Sequence, residues 1–74
     1  MNNDKMLKEL GKRVAKIRVA KGLSKYALAK KMGRKSYNSV LHLEQGKVNA
    51  TYIFLHEIAN ALDIELSELL EGLK

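Results

Sequence analysis

The sequence predicts an all-α fold, a compact bundle of five helices. Three observations carry this. Apolar residues recur at helical spacing along nearly the whole chain, and no stretch alternates with period two long enough to make a strand. Proline is absent, and Gly22, Gly33, Gly46 and Gly72 fall where helical stripes stop. At 74 residues the chain has room for one domain, 1–74, with no linker, repeat or low-complexity tract. A chain this short buries about 60–65% of its unfolded surface, so its core is thin.

Helix 1 is expected over about 4–21. Leu7, Leu10, Val14 and Ile17 form one stripe at i, i+3, i+7 and i+10, and Lys5, Lys8, Lys12, Arg13 and Lys16 take the other faces. Asn3 or Asp4 can cap its start, and Gly22 follows Lys21 as a stop. Gly11 lies inside the helix, where glycine costs about 1 kcal/mol against alanine. Because it sits on the stripe side, it reads as room for a close neighbour. Ser24 is the expected N-cap of a short second helix, 25–32, which turns Leu28, Ala29 and Met32 inward and ends at Gly33. Gly33-Arg34-Lys35-Ser36 makes a four-residue turn. Ser36 then caps a third helix, 37–45, with Val40, Leu43 and Glu44 on one face and Gly46 at its end. A fourth helix, 51–62, points Leu55, Ile58, Ala59 and Leu62 inward. Asp63-Ile64-Glu65 links it to a fifth, 66–71.

Composition limits the functions open to such a bundle. With 46% hydrophobic and 30% charged residues, it suits a folded domain rather than a disordered tail. No cysteine is present, which removes disulfides and thiolate zinc sites. Uncharged apolar runs last only a few residues, so no segment spans a membrane, and Met1-Asn2-Asn3-Asp4-Lys5 leads into no apolar signal region. A cytoplasmic protein is expected. The net charge of +6 is unevenly distributed. Residues 1–38 hold twelve Lys or Arg against two Asp or Glu, a net +10, whereas 39–74 hold two against six, a net −4. A basic half is the footprint of a polyanion-binding surface; lysine-rich helices that merely solvate themselves are the other reading.

Helix, glycine, short turn and short helix outline a helix-turn-helix. Leu23-Ser24, Leu28-Ala29-Lys30-Lys31-Met32-Gly33, Val40 with Leu43-Glu44-Gln45-Gly46-Lys47, and Ile58-Ala59-Asn60-Ala61-Leu62 carry a resemblance to the Cro/CI-type (XRE) helix-turn-helix family over about residues 7–70. The resemblance implies a five-helix bundle whose helices 2 and 3 form the helix-turn-helix. It also implies operator DNA as partner, a dimer, and a role in regulating transcription. The chain departs from the family at Ser24-Lys25, where Ser-Gln is usual, and at Asn49-Ala50-Thr51, where Asn-Pro-Ser is usual. Its turn 33–36 is one residue longer than the common form, which bears on the tilt of helix 3.

With helix 3 as the reading helix, Tyr37, Asn38 and Ser39, with His42 one turn on, are the candidate base contacts. Asparagine can bond adenine N6 and N7 together, serine is permissive, and tyrosine can touch a thymine methyl or a phosphate. The candidate phosphate contacts are Ser24 and Lys25 at the start of helix 2, where backbone N–H groups favour an anion, Lys35 and Ser36 at the start of helix 3, and Gln45, Lys47 and Asn49 after it. Leu41 lies apolar on the same outer side, where DNA, a partner or a neighbouring loop could cover it. Arg18 borders the helix 1 stripe and Glu44 faces inward from helix 3, so the two are expected to pair, as an Arg and a Glu commonly do at these places in the family. Tyr52, Ile53 and Phe54 cannot all be buried by one helix face, and Leu66, Leu69, Leu70 and Leu73 crowd the last helix. A two-fold homodimer would use that surplus.

Catalysis finds no support. His56-Glu57-Ile58-Ala59-Asn60 places Asn60 where a zincin has its second histidine, so no metal site is expected. Gly46-Lys47-Val48 lacks the rest of a phosphate loop, and neither histidine has a nucleophile to activate. Asn49-Ala50-Thr51 matches a glycosylation sequon but reads as a turn feeding a helix cap. No cofactor is called for. The competing function is an antitoxin-like module whose main partner is another protein, kept open by Leu41, Tyr52, Ile53 and Leu73. A basic helix lying on an anionic membrane is a third reading, opposed by the need of helix 1's stripe in the core.

Overall fold

The computed structural model describes residues 3–47 and 51–72. Expectations placed on Asn49 and Leu73, and on the side chains of Asn3 and Asp4, fall outside the described residues. Among the described residues five helices follow one another: α1 (Asn3–Ala20), α2 (Lys25–Lys31), α3 (Asn38–Glu44), α4 (Tyr52–Leu62) and α5 (Leu66–Leu70). Each matches an expected element to within one residue at either end.

Local chemistry explains most of these ends. The backbone N–H of Ala27 donates to Ser24 Oγ at 3.0 Å, and that of Phe54 donates to Thr51 Oγ1 at 3.1 Å, so both hydroxyls cap as helix starts require. α1 stops in a Schellman motif: Gly22, at φ 72°, donates to Val19 O, and Leu23 donates to Arg18 O. α2 and α3 end the same way at Gly33 and Gly46. α4 does so without a glycine. Asp63 takes φ 59°, and Ile64 donates to Ala59 O at 3.0 Å.

The start of α3 differs from expectation. Tyr37, not Ser36, holds the N-cap position and offers no side-chain cap. Ser36 Oγ instead accepts from the Asn38 N–H at 3.4 Å, closing a small turn two residues long in the extended 33–36 connection. Met32 likewise ends α2 as its cap rather than as its last helical residue.

Leu10 and Val14 of α1, Leu28 and Ala29 of α2, Val40 and Leu43 of α3, four residues of α4 and Leu69 of α5 make one buried cluster. Ile17, Met32 and Leu55, expected inward, pack partly buried against it. Gly11 marks the closest approach. A Cβ built there would lie 2.6 Å from Leu43 O and 2.7 Å from Glu44 O, so α1 and α3 touch backbone to backbone. Arg13 ties down the far end of the molecule. Its Nη1 donates to the carbonyl of Glu68 at 3.1 Å and its Nη2 to that of Glu71 at 2.7 Å, supplying donors to the carbonyls at the end of α5.

Candidate nucleic-acid interface

α3 packs against both α1 and α2, which leaves its remaining side open. Val40 and Leu43 hold the inner face, both fully buried. On the outer side Tyr37, Asn38 and His42 are exposed, and Tyr37 keeps 49% of its surface. Ser39 departs from this set. Its Oγ is buried and has no hydrogen-bond partner among the described residues, so its hydroxyl does not stand beside the other three. One position of helical rotation separates it from Asn38 and turns it toward the neighbouring helices. Leu41 is half-buried.

The expected phosphate contacts surround α3. Ser24 is exposed and Lys25 half-buried at the start of α2, a helix that carries three lysines and no acid. Lys35 and Ser36 are exposed in the turn before α3, and Gln45 and Lys47 in the segment after it. Ser24 Oγ accepts the Ala27 N–H, but its own proton remains available for a phosphate oxygen.

The arrangement is held from behind by the Arg18–Glu44 pair. Arg18 Nε donates to Glu44 Oε2 at 2.7 Å and Nη2 to Oε1 at 3.3 Å. The two side chains are only 11% and 9% exposed. The third arm, Nη1, donates to Leu23 O at 2.8 Å. One guanidinium therefore anchors the last residue of α3 and the residue just before Ser24. It fixes the two segments that would touch DNA relative to each other, by a bidentate fork that lysine could not supply.

A second arginine, unanticipated from sequence, steadies the long turn. Arg34 Nη2 donates to Glu57 Oε1 of α4 at 2.7 Å, and the guanidinium lies 5.7 Å from the Phe54 ring centroid. The turn between α2 and α3 is thus braced against α4 before α3 begins. Its partners stand 20 and 23 positions away, and no local pattern links them.

His56, from the zincin-like run, shares a 2.9 Å hydrogen bond with Tyr52 Oη, and the two rings meet edge to face at 4.7 Å. No group of three or more His, Cys, Asp or Glu suited to a metal ion occurs among the described residues.

Compared with known families, residues 14–69 match the helix-turn-helix family model. The chain belongs to the Cro/CI-type helix-turn-helix family. A solved relative in this family is the restriction-modification controller protein C.AhdI from Aeromonas hydrophila. It is 34% identical, superposes with a TM-score of 0.82, and the match covers 92% of this chain and 96% of that one. No curated protein matches the chain. As a member of the helix-turn-helix family, the protein is a DNA-binding transcriptional regulator. No described helix is long and apolar enough to cross a membrane.

Proposed function

We propose that the protein is a small repressor or controller that binds an inverted-repeat operator as a homodimer, with α3 in the major groove. The observation that carries this reading is the exposed start of α3, where Tyr37, Asn38 and His42 stand on a helix locked from behind by Val40, Leu43 and the Arg18–Glu44 pair. In this reading Asn38 is the principal base reader, with Tyr37 and His42 beside it. Ser39 is left out because its hydroxyl is buried. Ser24, Lys25, Lys35, Ser36, Gln45, Lys47 and Asn49 hold the phosphates and set the register. The whole of 1–74 acts as one domain in the cytoplasm. Regulation follows from concentration, dimerisation or a protein partner. The likeness to a restriction-modification controller protein supports the controller role.

The homodimer rests on Tyr52 and Ile53, which keep 68% and 71% of their surface and would be covered by a second copy. The same residues favour the alternative, a module whose main partner is a different protein. Sedimentation separates the two: a dimer on operator DNA supports the first, and a monomer both free and DNA-bound rejects it. Selection of bound duplexes from a random pool tests the rest, with an enriched inverted repeat as the expected result. Asn38→Ala then costs about 1–3 kcal/mol on the selected site and little on scrambled DNA. An unchanged ratio of specific to non-specific affinity in that variant overturns the assignment.

A further inference from the structure

We infer that Lys8, in the first half of α1 and outside the helix-turn-helix, contacts the phosphate backbone of the duplex that the protein binds. The inference rests on the reading above and extends it to a helix that reading leaves out.

Close packing at two glycines places the side chain. Gly11 presses α1 onto the carbonyls of Leu43 and Glu44, the last turn of α3. Lys8 precedes Gly11 by three residues, so it lies on the same side of α1, nearly one turn nearer the start. There it meets Gly46. A Cβ built on Gly46 would come within 2.8 Å of Lys8 Cγ, 3.0 Å of its N and 3.1 Å of its Cα. The stem of Lys8 therefore crosses the chain between Gln45 and Lys47, both expected to contact phosphates. Gly46 serves twice: it takes φ 76°, and it lacks the side chain that would hold α1 away.

Charge supplies the rest. Lys8 is exposed and has no ion pair among the described residues. A long, flexible ammonium rooted beside Lys47 adds a second positive charge at the same edge of α3. Such a pair meets one strand of backbone as a local clamp, without reading bases. The family match begins at residue 14, so Lys8 is a feature of this chain beyond the part that the family model describes. Lys16 makes the contrast. It lines a groove between α1 and α5 with Arg13, Lys21, Glu68 and Glu71, on the α5 side of α1 rather than beside Gly46.

The experiment uses Lys8→Met, which keeps a stem against Gly46 and removes only the charge, and Lys16→Met as comparison. Each full-length variant is titrated against the selected operator duplex and a scrambled duplex from about 50 to 200 mM salt. A thermal melt followed by circular dichroism checks that each is folded. Lys8→Met is expected to weaken both duplexes alike and to reduce the salt slope by about 0.9 per subunit. Over that salt range its affinity then falls about 3- to 4-fold less per subunit than that of the wild type. Lys16→Met is expected to leave the slope unchanged. An unchanged slope in Lys8→Met overturns the inference, and so do equal losses in both variants, which mean a diffuse field rather than a contact. Failure of the wild type to bind any duplex overturns the underlying reading instead.

Discussion

Gly11→Ala sets two known effects against each other. In an exposed helix the change stabilises by about 1 kcal/mol, because alanine loses less backbone freedom on folding. Here the new methyl would stand 2.6 Å from Leu43 O, 2.7 Å from Glu44 O and 2.9 Å from Glu44 C. All three are backbone atoms of α3, so none can rotate aside. The helices must separate by several tenths of an ångström or more, which loosens contacts around Leu10, Val14, Val40 and Leu43 and stretches the 2.7 Å Arg18–Glu44 bond. Overpacking a core typically costs about 1–3 kcal/mol, and a clash with backbone belongs at the upper end. The net expectation is a loss of about 2 kcal/mol. With a urea slope of about 1 kcal/mol per molar for a domain this small, the unfolding midpoint falls by about 2 M. Urea titration followed by circular dichroism measures it. A midpoint at or above that of the wild type would mean that propensity governs and that α1 and α3 are not in backbone contact.

The other expectations use the same assay or binding. Arg18→Ala leaves Glu44 buried without its partner and should cost about 3–5 kcal/mol, whereas Arg34→Ala breaks a pair whose side chains are each 41% exposed and should cost less than about 1. Similar losses in the two variants would contradict the burial argument. Asp63→Gly relieves a left-handed residue at φ 59° and should raise stability by about 0.5–1 kcal/mol in urea; a loss would show that the aspartate holds more than its backbone position. Lys25→Ala should weaken selected and scrambled duplexes alike and lower the salt slope by about one per subunit, and a loss confined to the selected duplex would make Lys25 a base reader.

The helices and their stops were legible in the sequence because each depends on residues within one or two turns. Stripes at i, i+3 and i+7 select a face, hydroxyls at Ser24 and Thr51 satisfy nearby N–H groups, and glycine accepts the left-handed geometry that ends α1, α2 and α3. Arg18 and Glu44 could be paired across 26 positions because Arg18 borders the helix 1 stripe, Glu44 faces inward from helix 3, a buried charge needs an opposite one, and the family resemblance implies the same pair. Tertiary structure decided what no local rule encodes. Arg13 reaches carbonyls 55 and 58 positions away, and Arg34 reaches Glu57, although neither shows a local feature that marks it apart from other exposed cations. Ser39 and Asn38 are adjacent polar residues on one short helix, yet the folded bundle buries the serine hydroxyl and leaves the asparagine exposed. Lys8 looked like any lysine of a solvated face until the bundle brought it against Gly46. Periodicity tells a residue which way to point within its own helix, but what it then meets depends on how helices far apart in the chain cross, and that is set by the fit of the whole core.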